Sequence, residues 1–230
     1  MSEMLDSDSK DWGQFLLVQG DVKPAATVGF WLHDSTISSD GPFNPFASKF
    51  RGMEELEEHM TETGVLFETD GAKCEDVGSA FDSRTYSISK DKTKLDEFRS
   101  MWEEEASVRE ISERIGALLG YPEEAVKYFH LRERNLYLIP ESVASYAVMK
   151  LRGREVPAWF HYVWHVPVNQ NLLGDFSESS VRLAEEYAAF FQEFHPKYHE
   201  WHLRESEEQL ETLVSDIKYI VDMWESSAEN

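Results

Sequence analysis

The stretch that most limits what this chain can fold into runs from Lys127 to Val166. It carries Tyr128, Phe129, Tyr137, Tyr146, Trp159, Phe160, Tyr162 and Trp164 within forty residues. Rings at that density have to be buried, because each takes a large apolar area out of water. The same stretch holds six Lys/Arg (Lys127, Arg132, Arg134, Lys150, Arg152, Arg154) against three acids, in a chain whose net charge is −22. Positive charge therefore gathers beside the rings, and the rest of the chain is acidic.

Alternation within this stretch suggests a sheet. An extended 129–138 puts His130, Arg132 and Arg134 on one face. A strand over 157–166 puts Phe160, Tyr162, Trp164 and Val166 on one face and Trp159, His161, Val163 and His165 on the other. Between them, 141–151 fits two patterns. Pro140, Gly153 and the basic Lys150 and Arg152 suit a helix and its C-terminal dipole. The alternation of Ala147, Met149 and Leu151 suits a strand turning at Gly153-Arg154, and the strong neighbouring strand pattern favours that reading. Were these strands neighbours, His130, Arg132, Arg134, Lys150, Arg152, His161 and His165 would form a cationic face ringed by aromatics. Arginine forks and imidazole donors on such a face suit a phosphate, carboxylate or nucleotide. The competing reading makes the same cations ion-pair partners of the acidic helices.

Taken in order, the chain begins with an acidic polar segment, 1–12, read as a disordered leader without the features of a signal peptide. Phe15–Gln19 and Thr27–His33 read as two strands of a hairpin turning at Gly20-Asp21, with Gly29 marking a bulge or a close backbone contact. Residues 34–46 are a Ser/Asp/Gly/Pro loop with Phe43 and Phe46 as apolar anchors. A helix follows over 47–62 and stops at Gly64, then strands at 65–68 and 81–88. Helices follow from Lys92 and from Ser107, whose Ser107-x-x-Glu110 fits a capping box, the second ending at Gly120. A short helix opening at Pro122 completes what could be a DNA-reading pair, but Glu123 and Glu124 would face phosphates, so a plain helical hairpin is expected. The C-terminal part predicts an antiparallel pair, 178–194 against 198–224, broken at His195-Pro196. Leu203, Leu210, Leu213, Ile217, Ile220 and Trp224 line the second helix, and a homodimer through 203–224 is an alternative use of that seam.

The predicted fold class is α+β: a mixed or antiparallel sheet with packed helices and a C-terminal helical hairpin, as one domain over 13–230 with a lobe border near 90. No apolar run is long enough to span a membrane. A single cysteine, Cys74, rules out an internal disulfide, and it stands without a nearby His or helix start to activate it. Together these predict a cytoplasmic protein.

Two function classes follow. With 44 Asp/Glu against 22 Lys/Arg, the first is a binding protein for a macromolecule with a basic surface, by charge analogy with immunity proteins and nucleic-acid mimics. Nucleic acid itself is not an expected partner. Salt adaptation is another source of such acidity, although Lys is not depleted. The second class is a small-ligand or metal-dependent enzyme using the cationic face. His195, His199 and His202 in HPKYHEWH are the candidate ligands for a divalent metal, and no other cofactor is expected. Pro196 leaves only His199 and His202 with secure helical spacing.

Overall fold

The computed structural model describes residues 3–7, 9–34, 44–69, 83–103, 108–126, 141–162 and 176–228. The chain is α+β and divides into two compact units, Met1–Tyr121 and Pro122–Asn230. The division falls at 121/122 rather than near 90, so each unit has its own core.

The first unit is built on a four-stranded antiparallel sheet: β1 (Glu3–Asp6), β2 (Ala25–Asp34), β3 (Leu66–Thr69) and β4 (Ser83–Ser89), in the order β1-β2-β4-β3. The expected leader is thus part of the sheet: Glu3–Asp6 pairs with Trp31–Asp34, and Trp12 is buried. Phe15–Gln19 is not a strand. It is the end of helix α1 (Ser9–Gln19). Trp12, Phe15 and Leu16 fall at helical steps and are all buried, so tertiary burial decided a run that is too short to be read from its own pattern.

Register explains Gly29. The pairing of β1 with β2 ends at Trp31, so the next donors of β2 meet no β1 residue. Asp11 of α1 fills the gap, its carboxylate accepting from the Gly29 N–H at 2.9 Å. A Cβ at Gly29 would stand 3.1 Å from that oxygen. The glycine is thus the close backbone contact expected from sequence.

Aromatic rings fill the space between α1, the sheet and helix α2 (Met53–Glu62). Trp12 meets Phe30 edge-on at 6.2 Å, and Phe30 meets Tyr86 at 6.0 Å. Glu57 of α2 accepts from both Arg84 and Tyr86 of β4, each at 2.9 Å. On the reverse of β2, Ala25 packs with Phe98, Met101 and Leu118 of α3 (Lys92–Glu103) and α4 (Val108–Leu118). Several helices end in one way. After α2, Val65 N–H reaches back to Met60 O at 2.8 Å with Gly64 at φ 73°; after α4, Tyr121 N–H reaches Gly116 O at 2.9 Å with Gly120 at φ 73°. This closure needs a left-handed residue, which glycine adopts without steric cost. Asp21 does the same work after α1 at φ 60°, and Lys90 meets its carboxylate at 2.7 Å.

The second unit is helical in its described part. Helix α5 (Glu141–Leu151) lies where the sequence favoured a strand, and a 3-10 turn (Ala158–His161) occupies the start of the expected strand 157–166. Val143, Tyr146 and Met149 sit at steps of three and pack with Phe160 and Leu210, a spacing that only a helix brings to one side. The C-terminal hairpin is present as α6 (Glu178–Phe194) and α7 (Pro196–Ala228). Ser177 caps α6 by accepting from Ser180 N–H at 3.3 Å.

Two interior polar groups of the first unit yield measurable expectations. Asn44 is 2 % exposed; its amide donates to Ser7 O and Ser7 Oγ at 3.2 and 3.1 Å and accepts from Phe46 and Ala47 N–H at 2.9 and 3.2 Å. Asn44→Ala strands those groups, so the urea midpoint should fall by the equivalent of roughly 1–3 kcal/mol with an unchanged slope. Lys23 is 3 % exposed, bonded to Gln14 and 4.8 Å above the Tyr121 ring, and burial lowers its pKa from 10.5 to about 8. Between those values the unfolded chain binds the proton and the folded chain does not, so stability should rise as pH climbs from 8 to 10.5. The full swing corresponds to about 3 kcal/mol. Lys23→Met should flatten that rise in denaturation curves taken at pH 7 and 10.

Candidate functional site

Helix α7 presents an unusual row to the interior of its unit. Tyr198, His202, Ser206 and Leu210 follow at four-residue steps and are all buried, so two polar side chains occupy core positions. Leucines suggested the seam in the sequence, yet Leu213 is 45 % exposed and Leu203 only half-buried.

The 3-10 turn supplies what this row needs. Pro157 is extended and starts the turn, which swings both His161 and Tyr162 inward. His161 Nδ1 lies 2.9 Å from Ser206 Oγ. His202 donates from Nε2 to the His161 carbonyl at 2.9 Å. Tyr162 Oη lies 2.6 Å from His199 Nδ1. Burial pushes the Tyr162 phenol up, so it keeps its proton and donates it to His199. Burial likewise lowers the His199 pKa, with Glu200 pulling the other way, so the neutral ring with Nδ1 as acceptor is the form that matches the phenol. Tyr162 stacks on Phe191 at 5.1 Å and 21°, and Tyr198 stacks on His202 at 5.4 Å and 15°. Three imidazoles, a phenol and a hydroxyl are thus held in one knot of two hydrogen-bonded sets, His202–His161–Ser206 and Tyr162–His199, which meet where the Tyr162 and His202 rings lie 4.8 Å apart. Burial favours the neutral form of the His199 ring in this set, so taking up a proton there would cost the bond from Tyr162.

The other residues singled out by sequence are placed as follows. His199 and His202 belong to the knot, but each ring is committed to a different partner. His195 ends α6 and lies 5.4 Å from the Phe190 ring. No group of three His, Cys, Asp or Glu side chains suited to a metal forms among the described residues, so the His195–His202 ligand set is not assembled. His161 of the cationic face is buried against Ser206. Lys150 and Arg152 stand at the C-terminal end of a helix and not on a middle strand. Lys150 reaches Glu207 at 2.9 Å and Glu211 at 3.5 Å while lying 5.1 Å over the Tyr146 ring. The Glu207 carboxylate raises the Lys150 pKa, and Lys150 in turn lowers that of Glu207. Among these cations, Lys150 therefore does what the ion-pair reading expected. His130, Arg132, Arg134 and His165 lie outside the described residues. Ser206 and Tyr162 were missed as partners. The signal that could have found them is the four-residue step from His202 to Ser206.

The surface carries the charge surplus. Described cations are drawn into pairs: Arg84–Glu57 at 2.9 Å, Lys90–Asp21 at 2.7 Å, Arg182–Glu178 at 3.3 Å, and Arg99–Glu68, where Nε meets Oε2 at 2.8 Å. Meanwhile Glu54 and Glu58 on α2, Glu185, Glu186 and Glu193 on α6, and Glu208 on α7 are exposed and in no ion pair among the described residues. No helix is long and apolar enough to cross a membrane among the described residues. Comparison with family models, curated proteins and solved structures finds no match to this chain.

The knot sets a pH dependence. The His199 pKa falls below its ordinary 6.5 on folding, so below that value the unfolded chain takes the proton more readily. Its contribution is complete above pH 6.5 and is lost as pH falls through the lower folded value. Urea unfolding followed by near-UV absorption of the rings should show a weaker second unit at pH 5.5 than at 7.5. His199→Gln should reduce that difference, and an equal difference in both proteins would show that His199 does not carry it.

Proposed function

We propose that the chain is a binding protein whose partner presents a basic surface, and that it works in the cytoplasm. One observation carries this reading: the described cations are largely absorbed in internal pairs and ring contacts, while carboxylates on α2, α6 and α7 are left exposed. Unpaired surface acids give a negative field that attracts and orients a basic partner, which raises its rate of association and makes binding salt-dependent. The ligand-site alternative has less support, because Lys150 is bound to Glu207 and His161 is turned into the core.

Self-association through 203–224 is a second use of the same helix. Leu213, 45 % exposed, is the described apolar side chain that favours it.

The test is capture on the immobilised chain from an extract of the cells that make it, followed by elution in salt steps. Retained proteins should be basic and should elute progressively with salt. The variant Glu54→Lys/Glu58→Lys/Glu185→Lys/Glu186→Lys should lose them by about tenfold or more in affinity. An equal number of reversals that includes Asp96 and Glu97 of α3 serves as control. Retention of neutral or acidic proteins insensitive to salt, or equal losses in both variants, would overturn the reading.

A further inference from the structure

The first unit contains a second gathering of titratable groups that the proposed function does not use. Lys49, at the end of the 3-10 turn Ala47–Lys49, lies with its ammonium 4.9 Å from the Phe50 ring centre and 5.4 Å from that of Trp12. The two rings are buried, at 6 % and 2 % exposure, so the ammonium rests on a fixed floor while the residue itself stays exposed. His59 of α2 flanks the same Phe50 ring at 5.2 Å and also meets Phe15 at 6.1 Å. The Gln19 side-chain amide reaches the His59 Nε2 at 3.4 Å.

The electrostatics of this place are unfavourable as it stands. Burial lowers the Lys49 pKa. Burial and the Lys49 charge both lower that of His59, and Glu62, three residues on in α2, opposes them. In a chain with two acids for every base, Lys49 nevertheless forms no ion pair among the described residues. Two groups able to carry positive charge are thus set around the Phe50 ring, with the Gln19 amide beside His59 and no ion-pair partner on Lys49 among the described residues. An ammonium held in place by rings loses little freedom when it binds, and this is the property of a prepared anion site.

We infer that Lys49, His59 and Gln19 form a binding site for a small oxyanion, a phosphate or a carboxylate, at the edge of the Trp12–Phe50 aromatic floor. The anion pairs with the ammonium and accepts a hydrogen bond from the charged His59 ring, while Gln19 turns its amide so that the carbonyl oxygen accepts from Nε2–H. The site lies in the other unit from the imidazole knot and does not depend on the partner proposed above.

Linkage gives the test. An anion that binds the charged imidazole must raise its pKa. The His59 ring is titrated by nitrogen-resolved NMR in inorganic phosphate, in acetate and in sodium chloride at matched ionic strength. The His59 midpoint should rise by about one unit in phosphate or acetate relative to chloride. Lys49→Met should abolish the rise and Lys49→Arg should retain it. A rise in phosphate alone assigns the site to phosphates, and one in acetate alone assigns it to carboxylates. The same midpoint in all three salts, or a rise that survives Lys49→Met, would overturn the proposal. The circular dichroism of each variant checks that the helix and sheet are unchanged.

Discussion

Aromatic rings are what each unit is assembled on, and in this chain they also receive its positive charge. Lys23 lies over Tyr121, Lys49 over Phe50 and Trp12, and Lys150 over Tyr146. A lysine stem adds apolar contact to the ring while its head meets the negative face, for about 0.5–1 kcal/mol at exposed sites and ~2 or more where water is excluded. The arrangement follows from the composition. A chain at −22 repels itself, and its acids are best left in water. Cohesion then has to come from apolar burial, with cations at the margins of the rings or in pairs across elements. Glu57 shows the second device, joining α2 to β4 through both Arg84 and Tyr86.

The parts of the fold legible in the sequence are those whose signals are local. Helices α2, α3, α4, α6 and α7 show apolar residues at three- and four-residue steps, and Gly64, Gly120 and the His195-Pro196 pair mark their ends. Strands β3 and β4 are bounded by turn residues. The parts not legible depend on distant partners. Glu3–Asp6 has no strand signal of its own and is extended because Trp31–Asp34 offers it a ladder. FLLVQ reads equally as a strand or as the buried end of a helix, and the positions of Trp12 and Phe15 against Phe30 and Phe50 decide it. Gly20-Asp21 was readable as a turn but not as a helix end, because a left-handed aspartate is a rarer signal than a left-handed glycine.

The candidate site was legible in its residue types more than in its geometry. Alternation in 141–151 is real, but Val143, Tyr146 and Met149 also share a helical side, and contact with Leu210 and Phe160 selects the helix. Once that segment is a helix, Lys150 reaches the α7 acids and the three-stranded cationic face cannot form as expected. His161 and Tyr162 were assigned to opposite faces of a strand. A 3-10 turn has no such alternation, so both point inward.

The polar positions in the α7 row have a physical consequence for how this helix sits. Leucine at His202 and Ser206 would bury more apolar area, yet a leucine makes no demand on position along the helix axis. His202 does, because its Nε2–H has to meet the His161 carbonyl, and Ser206 does, because its hydroxyl meets His161 Nδ1. A buried polar group displaced from its partner loses the full cost of its desolvation, about 1–3 kcal/mol for each. Sliding α7 by one residue, or turning it to bring Leu203 inward, would break both bonds together. Apolar packing around the knot adds cohesion without fixing position, and the two bonds set the register. The neighbouring Tyr162–His199 bond adds a condition of charge, because it needs a neutral His199 ring with Nδ1 as acceptor, so the seating of α7 against Tyr162 and the protonation of His199 depend on the same atoms.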